Sequence, residues 1–269
     1  METVLAVNNL KVSLKNQAPL VKNISLSIKK GKVLGIIGES GSGKTLTCKA
    51  IMQILNKRSF TVSGQILLHN TDLLKMSEKQ VRTLIGKDIS MIMQNPMTAF
   101  DPMMKIGRHI TDTLRAHTSL TKKQAHKVGQ NQLKKMNLIR VSDIMNSYPH
   151  QLSGGMLQRV MIAISLMLKP SIIIADEATT ALDVKNQAII LTEFQRIRSS
   201  GVGLLVVTHD FGVIAKIADD VLVMKDGEVV ESGTVYKIFH SPQEVYTKEL
   251  LQARFLVDEV DHALSKESI

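Results

Sequence analysis

Lys32-Val33-Leu34-Gly35-Ile36-Ile37-Gly38-Glu39-Ser40-Gly41-Ser42-Gly43-Lys44-Thr45 is the stretch that decides the fold. Residues 32–37 are almost continuously apolar, as a strand covered on both faces would be. Gly38 to Thr45 fits the pattern of a phosphate-binding loop, and a helical run follows it. Glycines let successive backbone N–H groups turn inward around phosphate oxygens, and the helix N-terminus adds partial positive charge. In that reading Lys44 reaches the β- and γ-phosphates and the Thr45 hydroxyl is a magnesium ligand. The plainer reading is an ordinary glycine-rich turn, and the strand ahead and helix behind weigh against it.

Working outward, Asp88 to Met93, Ser171 to Ala175 and Gly203 to Val207 are further short apolar runs separated by helical spacing. That alternation is the signature of βα units on a largely parallel sheet. Thr3 to Leu14 and Asn23 to Ile28 alternate apolar with polar residues, as strands of an antiparallel edge sheet do. Lys225-Asp226-Gly227 between two apolar runs predicts a hairpin.

Ile172-Ile173-Ile174-Ala175-Asp176-Glu177 is an apolar strand ending in two acids. It places Asp176 at the carboxyl edge of the sheet beside the phosphate-loop magnesium, and Glu177 one residue further, where it polarises an attacking water. By itself the pair reads equally well as a solvated strand end. The loop upstream decides for the functional reading. Leu152-Ser153-Gly154-Gly155-Met156 opens another helical run without a strand before it, a second nest for an anion.

Composition bounds the rest. In 269 residues, 44% are apolar, with 16 Gly and 6 Pro, which excludes disordered and fibrous classes. One cysteine excludes a disulfide framework or a four-cysteine metal site, and makes a reducing compartment the default. The first 30 residues hold no apolar block resembling a signal peptide, and Val160 to Leu168, the longest apolar stretch, is about half of what a membrane span needs. The expectation is a soluble cytoplasmic protein. The net charge of +10 is unevenly placed. Residues 103–150 carry nine Lys and Arg against Asp112 and Asp143, so +7 of it lies there. This stretch reads as a helical subdomain inserted into the α/β core. It suits an anionic surface, or equally a solvated helical face.

Taken together these motifs resemble the ATP-binding cassette (ABC) ATPases, over nearly the whole chain and in the family's order. The resemblance implies a RecA-like P-loop ATPase core with an antiparallel β subdomain and an inserted α-helical subdomain. Residues 1–235 would be the nucleotide-binding domain, with the helical subdomain at about 103–160, and 236–269 a C-terminal helical tail. It implies ATP and Mg2+, with Gly38, Glu39, Ser40, Gly41, Ser42, Gly43, Lys44 and Thr45 around the phosphates. Thr45, Gln94 and Asp176 would serve the magnesium ion. Glu177 becomes the general base, assisted by Lys44 and by His209, which matches the switch histidine. Gln94 matches the Q-loop glutamine and Asp183 the D-loop aspartate. Ser153, Gly154, Gly155 and Met156 match the signature that closes over ATP held by another subunit.

Three positions depart from the commonest family pattern. Met156 replaces a glutamine, Ala178 stands where proline often follows the catalytic glutamate, and Leu14 is expected where an aromatic usually stacks on adenine. A single cassette with a short insert disfavours the chromosome-maintenance and translation members. The insert also has one aromatic, Tyr148, where single-strand binders interleave several, so no nucleic-acid partner is expected.

Gln94-Asn95-Pro96-Met97-Thr98-Ala99-Phe100-Asp101-Pro102 and the tail's Pro242 to Leu250 resemble the peptide and nickel importer branch. Gly41 to Cys48 and Ser153 to Arg159 come closest to its nickel-import ATPase subunits. That resemblance implies a peripheral protein on the cytoplasmic membrane face. Its partners would be a second, different cassette chain, two permease subunits and an extracytoplasmic solute-binding protein. Cargo would be nickel, another divalent metal, a metallophore complex, or a di- or oligopeptide. Gln94 to Met104 would face the permease, with Phe100→Asp expected to uncouple transport more than nucleotide binding. His109, His117 and His126 lack the i, i+4 spacing of helical metal ligands and read as solvated; Cys48 reads as core.

Overall fold

The computed structural model describes residues 2–179 and 184–253. The chain opens with β1 (Thr3–Leu14) and β2 (Pro19–Lys29), then β3 (Val33–Ile37), the phosphate loop and α1 (Lys44–Ile51). Next come β4 (Phe60–Leu68), β5 (Thr71–Asp72), α2 (Glu78–Leu84) and β6 (Ile89–Ile92). A purely helical stretch follows: α3 (Ile106–His117), α4 (Lys122–Lys135), α5 (Val141–Asn146) and α6 (Gly154–Met167). The chain then returns to alternation with β7 (Ile172–Asp176), α7 (Val184–Ser199), β8 (Gly203–Val207), α8 (Phe211–Ile217), β9 (Asp220–Lys225), β10 (Glu228–Thr234) and α9 (Val235–His240).

Two sheets result. β2-β1-β4-β5 is antiparallel throughout, and its alternating burial matches the alternating sequence. In the other, ordered β10-β9-β3-β8-β7-β6, strands β9, β3, β8, β7 and β6 are parallel and β10 closes the hairpin. β3, β7 and β8 are buried at every residue. Their two faces feed different cores. Val33, Ile37, Ile173, Ala175, Leu204 and Val206 pack with the helices. Leu34, Ile36, Ile172, Ile174, Leu205 and Val207 pack against the antiparallel sheet. The period of two along each strand therefore welds two half-cores, at about 1.5–3 kcal/mol for each large apolar side chain buried.

The insert is amphipathic. In α3, Ile106, Ile110 and Leu114 recur every fourth residue and are buried, and Ala125 and Leu133 of α4 join them. All nine basic side chains of residues 103–150 are exposed. Thr121 and Gln124 form a capping box that starts α4, worth about 1 kcal/mol.

The tail packs on the core. Residues 245–253 are helical, Tyr246 and Leu251 are buried in the helix-side core, and Glu231 of β10 accepts the N–H groups of Gln243 at 2.8 Å and Glu244 at 3.2 Å. Phe100 is more enclosed than the motif alone implies: it is only 7% exposed, packed edge-to-face on His109 at 5.1 Å, and shows one edge to a small cleft of about 190 Å³ shared with Met91 and Met161.

Candidate functional site

Because β3, β8, β7 and β6 are parallel, the residues that follow them emerge at one edge of the sheet: Gly38, Thr208 and His209, Glu177, and Gln94. The sequence-predicted residues meet there. Gly38 has φ of 149°, and a Cβ at that position would lie 2.2 Å from the Met224 carbonyl oxygen, so only glycine fits. Gly43, at φ 100°, is the N-cap of α1. Lys44 is 5% exposed, and its ammonium donates to the carbonyls of Gly38 and Glu39, both at 2.7 Å, and more weakly to Ser42 Oγ at 3.4 Å. Burial pushes its pKa below the ordinary lysine value, opposed by the charges of Glu177 and Asp176.

Thr45 donates its hydroxyl to Asp176 Oδ1 at 3.0 Å. Asp176 is 6% exposed, and burial holds its carboxyl above the usual range while the Thr45 hydrogen bond opposes the shift. Glu177 adopts a left-handed backbone, φ 49°, and its N–H donates to the Val207 carbonyl at 2.8 Å. This turn swings the second acid away from the strand. Its Oε2 receives Gln94 Nε2 at 3.1 Å and lies 3.3 Å from His209 Nδ1. Three motifs scattered over more than a hundred residues, carried by Thr45, Gln94 and His209, thus converge on one pair of carboxylates.

The signature does not join them within the chain. Ser153 caps α6 by accepting the Met156 N–H at 3.3 Å, and the cleft of about 350 Å³ beside the phosphate loop has no signature residue in its wall. That wall includes Leu20, 45% exposed; Leu14, expected against the nucleotide, is not part of it and pairs instead with Phe60 across the strands. A cleft of about 1010 Å³ opens at the amino edge of the same sheet, beside Lys30, Ser171 and Val202, and contains none of the site residues. Asp183 lies outside the described residues.

Two contributors escaped the motif reading. Gln158, 1% exposed, donates to the Ala178 carbonyl at 2.9 Å, so α6 steadies the turn after Glu177 without the proline usual there. Tyr246 accepts the Glu39 N–H at 3.1 Å. A buried glutamine in an apolar helix is a polar group that must find a partner, and that was the available signal for Gln158. Cys48 is buried in the core, and no metal-binding cluster of His, Cys, Asp and Glu forms among the described residues.

For magnesium, the donor set fits. The Thr45 hydroxyl and the Asp176 carboxylate are hard oxygens already in contact, at the mouth of a lysine-bearing phosphate loop.

Residues 21–180 match the ABC transporter family. The chain is 42% identical over 254 residues to the metal-staphylopine import system ATP-binding protein CntD of Staphylococcus aureus (strain NCTC 8325 / PS 47), spanning 94% of this chain and 93% of that relative. It is 44% identical over 256 residues to the dipeptide transport ATP-binding protein DppD of Bacillus subtilis (strain 168), covering 93% and 76%. The fold superimposes with a TM-score of 0.76 on a dimeric post-hydrolysis state of the ATP-binding cassette MJ0796 bound to ADP and Pi, at 26% identity, covering 86% of this chain and 98% of that one. Fold, site and relatives agree: the chain is an ATPase and belongs to the ABC transporter family.

Proposed function

We propose that this protein is the ATP-hydrolysing subunit of a multi-chain importer whose cargo is nickel or a related divalent metal, carried as a metallophore complex. The convergence of Lys44, Thr45, Asp176, Glu177, Gln94 and His209 on one sheet edge carries the enzymatic half of this reading.

The phosphate loop amides and Lys44 bind the triphosphate; the lysine's present carbonyl partners hold it at the loop until phosphate oxygens compete for it. Thr45 and Asp176, with the Gln94 carboxamide, would hold magnesium, which neutralises charge on the phosphate oxygens when bound. Glu177 takes a proton from the water whose oxygen attacks the γ-phosphorus. The bond from that phosphorus to the bridging oxygen breaks, and ADP leaves with the electron pair. Gln94 and His209 fix the Glu177 carboxylate at this task. Since the signature Ser153–Met156 is absent from the cleft, it would complete the site of a second cassette, as the dimeric arrangement of the MJ0796 neighbour suggests. Asp183 is assigned to the seam between the cassettes by motif.

Among the described residues no helix is long and apolar enough to cross a membrane. As an importer ATPase the chain would act through two permease subunits from the cytoplasmic face, with a different cassette as partner and a solute-binding protein outside. Exposed Met97 and Met103, near the Q-loop, are apolar points for the permease. The metal reading draws on the near full-length match to the metal-staphylopine relative, 93% of its length against 76% for the dipeptide relative. The second reading, di- or oligopeptide import, rests on that dipeptide relative. Uptake of labelled nickel, cobalt and zinc, with and without a metallophore, and of a dipeptide, measured with and without this chain, separates them. Loss of dipeptide uptake alone would replace the first reading by the second.

A further inference from the structure

The phosphate loop is gripped from outside by the C-terminal segment. Tyr246 is 8% exposed, and its hydroxyl accepts the Glu39 N–H at 3.1 Å. The carbonyl of the same peptide unit, that of Gly38, accepts the Lys44 ammonium at 2.7 Å. Tyr246 and Lys44 therefore hold opposite poles of one rigid, planar peptide group. The group begins at Gly38, which at φ 149° carries no side chain of its own to restrain it. The holding residue is itself fixed. Lys225 Nζ sits 4.6 Å above the Tyr246 ring, Glu231 anchors the chain just before it through Gln243 and Glu244, and Leu251 buries the next turn. Burial keeps the phenol above its ordinary pKa, so the hydroxyl is neutral at physiological pH and offers a lone pair to the amide.

We propose that Tyr246 is a positioning residue of the nucleotide site: its hydroxyl clamps the Gly38–Glu39 peptide plane, and through it the starting place of Lys44. The C-terminal segment is then a working part of ATP binding and not an appendage to it. The inference rests on the phosphate loop being the ATP site.

The test is Tyr246→Phe in the full chain, beside Lys44→Ala. The ring and its packing stay, and one hydrogen bond to a part-buried amide is lost. Dissociation constants for both ATP and ADP should rise about three- to tenfold. The ATP KM of the assembled transporter should rise in step, with kcat at saturation within about twofold. A residue that merely packs the tail would lower Tm and leave both constants untouched. Amide exchange supplies an independent reading: the Glu39 amide should be protected in the nucleotide-free wild type and exchange faster in Tyr246→Phe. Unchanged nucleotide affinity in Tyr246→Phe, or an unprotected Glu39 amide in the wild type, overturns the clamp. Wild-type ATP binding by Lys44→Ala would instead overturn the reading of the loop on which the clamp depends.

Discussion

The carboxyl edge of the parallel sheet and the helical insert solve opposite problems. At the edge, four strands buried at nearly every residue deliver their next residues to one place, and the side chains there are interlocked: Lys44 on two carbonyls, Thr45 on Asp176, Gln94 and His209 on Glu177. The insert buries a stripe of Ile, Leu and Ala and leaves all nine basic side chains in solvent. Interlocked, desolvated groups are sensitive to single atoms, whereas a solvated face responds to summed charge and exposed apolar area. Single substitutions should therefore cost chemistry at the edge and coupling at the insert.

The sharpest way to break it is Glu177→Gln. The substitution keeps the size and a hydrogen-bonding oxygen but removes the proton acceptor, so ATP binding should persist while turnover falls by about 10²–10⁴-fold. Wild-type hydrolysis with the partner subunits present would remove Glu177 from the base role. Next comes Phe100→Asp, where the structure alters the outcome expected from the motif alone. A charge replacing a 7%-exposed ring should destabilise the fold by about 3–5 kcal/mol, lowering Tm and nucleotide binding together. Retained Tm with selective loss of uptake would return Phe100 to the permease surface. Met103→Asp is the matching surface change. At 84% exposure it should leave Tm and basal ATPase within about twofold of wild type while cargo uptake falls several-fold. Unchanged uptake would take this end of the insert out of the permease contact.

The contrast also explains what was legible in the sequence. The buried strands announce themselves as apolar runs, and the loop as glycines before Lys44, because backbone chemistry leaves few alternatives there. The order β3-β8-β7-β6, which brings Gln94 and His209 onto Glu177, lies in long-range pairing that no local pattern encodes. Motif resemblance supplied those residues; geometry supplied their contacts. Leu20 stands in the cleft wall where Leu14 was expected for the same reason: which residue lies beside the loop depends on how the antiparallel sheet leans on the parallel one. Tyr246 was visible only as one letter of a tail motif. Its partner is a main-chain N–H of Glu39, and main-chain partners leave no mark on the identity of the residue that carries them.

The smallest predicted effect follows from the charge stored at the edge. Asp176 is buried, and its carboxyl titrates above the ordinary value, chiefly through desolvation. Between the unfolded and folded pKa values the folded chain binds more protons, so this group makes stability fall as pH rises through that window. Below both values the carboxyl is neutral in either state and the penalty vanishes; above both it is present in full. Asp176→Asn removes the charge while keeping an oxygen for the Thr45 hydroxyl. The nucleotide-free variant should therefore melt above the wild type at neutral pH, with the gap closing as the pH is lowered through the window. It should also lose magnesium-dependent nucleotide binding. Equal melting temperatures at neutral pH would mean that Thr45 and solvent fully compensate the carboxylate. The interlocked edge would then carry no more electrostatic strain than the solvated insert, and the difference between the two regions would be one of geometry alone.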